Sequence, residues 1–535
     1  MTSLWGDDFE IKDTVKESKK IISKINQPKE VKKDSTIRAS LKSKKLSLED
    51  KLNIINENVN KTLGVYKSST IVIKTREQLI SYIDKAINNK IIAIDTETNN
   101  SLDPITCKLM GPCIYTPGMD SAYIPINHKD YTTDERLPWQ LTEQDILEQF
   151  NRLDNIIILT HNGKFDYEVL KCTTGLELHI DWDTMIGAKL LEENERSAGL
   201  KQQYVDKIDP SIEKYSIDGL FEDIEYAYVD PDIFALYAAT DAWMTYKLYE
   251  WQMKQFEKPD NSRLYNLAKT IEMPLVRVLA EMELTGMEVD QGYGKLLSAK
   301  YHKKLDEIDE EIHEELMHLQ PKIEAWRLTS EATYRPPKKS GEGEGKSKSE
   351  QLADPINLGS PTQLAILFYD VLKAPVVDKK QPRATGEDAL KAISEHLKLK
   401  ICSLLLKRRE LVKLISTYVD VIPELASKWP DGRVRTHFNQ YGAATGRLSS
   451  SDPINFQNIP SHNREIRMLF KASSSDTVIE TLDDKFTVSK WTEVETSSGF
   501  KFAQSLVLGD VLIVNDKPES IKNIQLLDEN IIIYV

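Results

Sequence analysis

The chain has 535 residues, 29% of them charged and 40% hydrophobic, with a formal net charge of −14; that length exceeds what one hydrophobic core supports, so two or more domains are expected. No run approaches the roughly 18 consecutive apolar residues of a membrane span, and Asp7, Asp8 and Glu10 stand where a secretory leader carries basic residues before an apolar run. The four cysteines (Cys107, Cys113, Cys172 and Cys402) form no CxxC pair, so neither a zinc knuckle nor a disulfide framework is implied, and a reducing, cytoplasmic setting fits.

The negative charge weighs only weakly against a nucleic-acid partner, because a whole-chain sum hides local basic patches. Residues 1–67 are lysine-rich with few aromatics, and such a stretch is expected to be a disordered charged tail. From Ser68 the texture changes. Thr70–Lys74 and Lys90–Asp95 are short β-branched runs with a helix-like Arg76–Asn88 between them. Asn155–Thr160 is another buried-type strand, with a helix after it, and Pro231–Trp251 reads as helix. Strands alternating with helices predict an α/β domain over 68–255. Residues 262–328 read as almost wholly helical, with heptad-like spacing in Leu297–Leu319 predicting an extended helical hairpin. The Gly/Ser/Lys/Pro-rich stretch within 333–352 predicts a flexible loop. Helices resume at Ser360, an N-cap before Pro361, and at Glu387–Leu425. Residues 473–535 break into short strand-like runs and predict a separate β-rich unit.

The chemistry begins at Asp95-Thr-Glu97. On a strand, residues two apart share a face, so both carboxylates point the same way. Two such charges repel unless a cation lies between them, and hard oxygen ligands suit Mg²⁺ or Mn²⁺. Asn162-Gly-Lys-Phe-Asp166 brings a third acid to a strand-to-helix corner. Tyr237 and Asp241 stand four apart on a helix, hence on one face. Each piece has an ordinary reading by itself: a solvated strand end, a helix cap, a core aromatic.

In order, these pieces resemble the three motifs of the DEDD exonucleases, in the tyrosine-bearing branch that serves bacterial DNA polymerase I-like enzymes. The resemblance implies a ribonuclease H-like fold and a 3′-5′ proofreading exonuclease. It implies that Asp95, Glu97, Asp166 and Asp241 bind two Mg²⁺ or Mn²⁺ ions roughly 4 Å apart, one activating water and one stabilising the leaving oxygen. Tyr237 is then expected to position the attacking water, and Asn162 to contact the end of the substrate strand.

The remainder resembles family A DNA polymerases. Ile271–Leu275 with Glu281–Asp290 is similar to the segment opening the polymerase region. Asn357–Leu364, Thr385–Leu390 and Lys413–Tyr418 are similar to the thumb. Thr445-Gly-Arg-Leu-Ser-Ser450 followed by Pro453–Pro460 is the most specific stretch. It places amide, hydroxyl and guanidinium donors in a loop, where they suit minor-groove and phosphate contacts that fix position without reading sequence. DNA contacts are expected at Thr445, Arg447, Ser449, Asn455, Gln457 and Asn458, with Arg447 near the primer end. The expected partners are single-stranded 3′ ends and the template–primer duplex. Residues 262–472 thus read as a mainly helical thumb and the start of a palm.

Synthesis needs acids that this stretch does not display. Asp476–Asp483 brings a carboxylate to about the right place, but Asp484-Lys-Phe-Thr487 replaces the family's expected continuation. Nucleotide transfer is therefore expected only after a second polypeptide supplies the rest of the palm and fingers. Thr492–Gly499 and Leu506–Leu512 loosely resemble the Hedgehog/intein fold, and in that register Ser473 is the available nucleophile. An intein-type fragment and an unrelated β extension both stay open for 473–535. Two functional alternatives also remain, a catalytically inert DNA-binding subunit and a stand-alone degradative nuclease. A polymerase of this family split by an intein points to a bacterial or phage-infected host cytoplasm.

Overall fold

The computed structural model describes residues 46–192, 198–210, 221, 224–338, 344–442 and 446–471, together with the backbone of strands between 485 and 534. Two compact units emerge. One comprises residues up to Leu284 with Gln440–Leu448, the other Thr285–Asn439 with residues from Ser449 onward. Among the described residues, no helix is long and apolar enough to cross a membrane.

The first unit is α/β, as the strand–helix alternation predicts, in keeping with the ribonuclease H-like fold that the resemblance implies. Its six strands are β1 (Thr70–Val72), β2 (Ile91–Thr98), β3 (Leu109–Tyr115), β4 (Ser121–Tyr123), β5 (Ile157–Thr160) and β6 (Trp182–Asp183). They lie in the order β1-β4-β3-β2-β5-β6. Strand β2 is antiparallel to β3 and parallel to β5. It is central and covered on both sides, which is why Ile92, Ala93 and Ile94 form an unbroken buried run. The helices are α1 (Leu48–Leu63), α2 (Arg76–Asn89), α3 (Glu143–Phe150), α4 (Gly163–Thr174), α5 (Thr184–Leu191), α6 (Leu200–Lys207) and α7 (Pro231–Phe256). Pro231 at the first position and Asp230 as N-cap start α7, and the helix crosses β1 to β4.

The tail predicted for 1–67 ends sooner than expected. Residues 1–45 lie outside the described residues, but Leu48–Leu63 is a formed helix opened by a Ser47/Asp50 capping box. Leu52, Ile55, Val59 and Leu63 recur at three- and four-residue spacing and are buried in the main core. The lysine-rich composition upstream masks that stripe when the tail is read as one segment.

A buried histidine ties the loop after β4 to the start of α7. His128 Nδ1 lies 2.9 Å from the Val229 carbonyl and Nε2 lies 2.7 Å from the Tyr123 hydroxyl. Gln140 brackets its backbone, accepting from His128 N at 2.7 Å and donating to its carbonyl at 2.8 Å. A neutral ring satisfies both contacts, with Nδ1–H donating to Val229 and Nε2 accepting from Tyr123. Burial pushes the ring's pKa from 6.5 down to about 4. A depressed folded value means the unfolded chain takes up the proton first. The stabilisation is full above the ordinary histidine range and is lost as pH falls toward about 4, on the order of 3 kcal/mol in all. We expect His128→Gln to flatten this part of the pH dependence when denaturation midpoints are compared between pH 7 and 4.5. Parallel profiles for the two proteins would remove His128 as its source.

The second unit is mainly helical. Instead of the predicted hairpin, Gln291–Arg327 is one 37-residue helix, and its packing partner is the distant Lys400–Leu414. Arg408 grips Asp309 across that pair at 2.6 and 3.2 Å. The heptad stripe is real (Leu297, Tyr301, Ile312 and Leu319 are buried), yet it faces segments far along the chain.

The flexible loop predicted over 333–352 is also shorter. Residues 339–343 lie outside the described residues, while Lys348–Gln351 is a helical turn with a Ser347/Glu350 capping box. Arg327 donates to the Ser349 and Leu352 carbonyls at 3.0 and 2.7 Å, and Leu352 is buried. Those anchors are long-range, so local composition does not announce them.

Toward the C-terminus the backbone is β, as predicted. Lys485–Ser489, Asn523–Leu527 and Asn530–Tyr534 form one antiparallel sheet. Glu493–Thr496, Gly499–Phe502, Val511–Val514 and Lys517–Ser520 form another. Ser473, the residue suggested as an intein nucleophile, lies outside the described residues.

Candidate active site

Three elements of the first unit bring five predicted residues together. Strand β2 carries Asp95 and Glu97 on one face, next to a register irregularity at Glu97/Thr98. Such a bulge re-aims the side chains beside it. Helix α4 carries Asp166 in its first turn. Helix α7 carries Tyr237 and Asp241 one turn apart.

Thr96 alternates to the other face of β2, and from there it fixes Asp166. Its backbone N–H and its hydroxyl both donate to Asp166 Oδ1, at 2.9 and 2.7 Å. The turn ahead of Asp166 is equally defined. Asn162 sits at φ 66°, ψ 42°, a left-handed conformation that asparagine tolerates better than most residues. Asp183 accepts from the backbone N–H of Asn162 at 3.2 Å and of Gly163 at 2.7 Å, while also capping α5 through Met185 N and Ile186 N. The strand–turn–helix corner expected around Asp166 is thereby held by a buried carboxylate from β6.

The electrostatics are those of crowded, dehydrated acids. Burial raises Asp95 well above the usual carboxylate range, and the charges of Asp166, Glu97 and Asp241 push it further. Burial and then Asp241 lift Glu97 to about 8. Asp166 is raised to about 7, again mainly by burial, against the two Thr96 hydrogen bonds that favour its charge. Asp241 is raised by burial and held back by Lys201. Beside them the Tyr237 phenol is driven far up, first by the Glu97 charge and then by burial. Four carboxyl groups crowded into one largely buried site cannot all ionise without cations.

The donor set fits a hard divalent ion. Asp241 Oδ1 is buried with no hydrogen-bond partner, an orphan that an ion would satisfy. Asp95 and Glu97 can each bring an oxygen, and Cys113 its sulfur, within 4.8 Å of one another. Cys113 stands directly opposite Asp95 in the β2–β3 register. Burial raises its thiol strongly, so it stays protonated and neutral beside oxygen ligands that suit Mg²⁺ or Mn²⁺ better.

Thr96, Cys113, Asp183 and Lys201 are the neighbours that sequence reading missed. Asp183 alone left a signal, since an aspartate directly ahead of Thr-Met-Ile-Gly reads as an N-cap. Cys113 required the strand register, and Lys201 required the packing of α6 on α7.

The predicted DNA-contact residues fall in both units. Thr445 lies outside the described residues. Arg447 is exposed and belongs to the first unit, whereas Ser449, Asn455, Gln457 and Asn458 belong to the second. Gln457 and Asn458 are exposed on the turn Phe456–Asn458. Asn455 is different. Its Oδ1 accepts from Gln457 N at 2.9 Å and from Ser450 Oγ at 3.1 Å, so its oxygen shapes the turn that presents its neighbours. Ser449 pairs with Asn439 in a two-residue ladder.

Comparison with known proteins agrees with this anatomy. Residues 70–256 match the family described as 3′-5′ exonuclease, and residues 339–484 match DNA polymerase family A. DNA polymerase I of Chloroflexus aurantiacus is 30% identical over 419 residues, covering 75% of this chain and 39% of the relative. DNA polymerase I of Borreliella burgdorferi is 29% identical over 446 residues, covering 81% and 41%. The chain thus spans about two fifths of the length of these curated relatives. Among solved structures, the chain resembles the POL domain of Pol1 from M. smegmatis in complex with DNA primer-template and dNTP. The TM-score is 0.54 at 22% identity, over 80% of this chain and 61% of that one, a likeness that bears on fold. Along one polypeptide, then, a match to the 3′-5′ exonuclease family stands ahead of a match to DNA polymerase family A, the same pairing that the similarity to bacterial DNA polymerase I indicates.

Proposed function

We propose that the first unit hydrolyses 3′-terminal nucleotides of DNA, at single-stranded or frayed primer ends, with two Mg²⁺ or Mn²⁺ ions. The observation that carries this reading is the convergence of Asp95, Glu97, Asp166 and Asp241 beside Tyr237, with a buried carboxylate oxygen left unpartnered. The four acids would hold the ions, which when bound supply Lewis acidity to the water and the leaving oxygen. The chain's own residues do the placing. Thr96 fixes Asp166, and Asp183 fixes the turn that sets Asn162 beside the substrate strand. Tyr237 stays protonated well above neutral pH, so its hydroxyl orients a water by hydrogen bonding and does not serve as the base. Arg447, Gln457 and Asn458, all exposed, are the residues proposed to hold the duplex by positional contacts.

Synthesis by these 535 residues alone is not expected. Among the described residues, the grouping of acid, histidine or cysteine ligands close enough to share an ion lies at Asp95, Glu97 and Cys113, in the first unit. A second polypeptide carrying the remaining palm and fingers would supply nucleotide transfer. The test uses the purified chain with an end-labelled primer bearing a 3′ mismatch, with and without Mg²⁺ and nucleotides. We expect metal-dependent shortening and no extension, with mismatched ends preferred over matched ones. Extension would refute the synthesis half of the reading. Shortening without mismatch preference would favour a degradative nuclease, and an inert chain that still binds DNA would favour a binding subunit.

A further inference from the structure

One cation already stands inside the acid cluster. Lys201, second residue of α6, places its ammonium 3.0 Å from Asp241 Oδ2. The same ammonium lies 4.3 Å from the centroid of the Tyr237 ring. Lysine thus touches both functional residues of the α7 face at once, through an ion pair and a cation–π contact. The pair is shielded, with the lysine side chain 23% exposed and the aspartate 15%, so salt screens it less than a surface pair. Its charge also favours ionisation of Asp95, Glu97 and Asp241 together. One carboxylate oxygen of Asp241 is therefore taken by Lys201 while the other has no partner.

That arrangement sets two cations against each other. A divalent ion drawing on Asp241 would lie close to an ammonium in a largely buried site, where like charges repel more strongly than at an open surface. Without such an ion, the ammonium offsets part of the repulsion among four buried acids. We propose that Lys201 is the resident counter-ion of this site: it holds Asp241 and Tyr237 while the site is free of metal, and it must leave Asp241 before that carboxylate can serve a divalent ion. Lys201 is in this sense a positioning residue that opposes metal loading. The inference rests on the metal-dependent reading of the site and adds a specific antagonist to it.

The test is Mn²⁺ binding to the full chain, followed by electron paramagnetic resonance of the free aquo ion, for wild type, Lys201→Met, Lys201→Gln and Lys201→Arg. The neutral variants are expected to bind Mn²⁺ on the order of tenfold more tightly, and Lys201→Arg no more tightly than wild type. Thermal melting in EDTA supplies a second readout. The neutral variants melt below wild type, the arginine variant recovers the difference, and saturating Mn²⁺ erases it. Unchanged or weaker Mn²⁺ binding by both neutral variants overturns the counter-ion role. So does wild-type melting of both in EDTA. If wild type itself binds no Mn²⁺, the metal-dependent reading falls and takes this proposal with it, so the two failures are distinguishable.

Discussion

The double variant Asp95→Ala/Glu97→Ala will lose 3′-terminal hydrolysis by about three to four orders of magnitude, and its metal-free form will not be less stable than wild type. The first half follows from removing two of the four proposed metal ligands. Metal catalysis contributes several kcal/mol of transition-state stabilisation, and each 1.36 kcal/mol is about a factor of ten in rate. The second half follows from the same geometry. Both acids are raised by burial and by the charges of neighbouring carboxylates, so deleting them relieves desolvation and repulsion in the folded state. Wild type should gain stability from Mn²⁺, about 2.7 kcal/mol at a hundredfold excess over the dissociation constant, and the variant should gain none. Single-turnover digestion of a labelled primer and paired melts with EDTA or Mn²⁺ provide both readings. Activity within tenfold of wild type would sink the ligand assignment. A large melting loss in EDTA would show instead that the acids hold the fold.

Gly111→Ala should destabilise the first unit by at least about 3 kcal/mol, the largest stability effect expected of a single methyl group here. A Cβ at Gly111 would lie 2.1 Å from the Ile124 carbonyl oxygen and 2.9 Å from its carbon. Neither partner can yield cheaply, because both are backbone. Ile124 N donates to Pro112 O at 3.0 Å and Ile126 N to Met110 O at 2.9 Å, so moving this segment breaks ladder bonds on either side of the glycine. Gly111 also faces Glu97 across β2–β3, and any strand shift therefore reaches the acid cluster. Urea midpoints would measure the loss, and primer digestion in the residual folded population would report the distortion. Gly64→Ala is the control. Gly64 has φ −58° and open space around its Cβ direction, so that change should be neutral or slightly stabilising. Equal effects at the two positions would mean that the clash at Gly111 is relieved at little cost.

The five site residues were legible for a local reason. Side-chain periodicity alone puts Asp95 with Glu97 on a strand face and Tyr237 with Asp241 on a helix face. A strand-to-helix corner announces Asp166. The α/β character of 68–255 was legible from the same alternation, and the helix start at Ser360 followed cap chemistry. The amphipathic stripe of Leu48–Leu63 is equally local, but the charged composition of the residues ahead of it hides it in the mean of the tail.

Other features belonged to tertiary structure because they join residues far apart in the chain. The heptad stripe after Leu297 declares an apolar face, and packing alone chose Lys400–Leu414 to cover it in place of a local hairpin. Arg327 orders a stretch whose composition reads as linker. Lys201 looks like any helix-surface lysine until α6 docks on α7 and burial turns its charge toward Asp241. Sequence by itself therefore determined which acids could act and on which elements they stand, since spacing sets the face. Only the tertiary structure decided what fixes and neutralises them, because burial and long-range hydrogen bonds arise when distant segments meet.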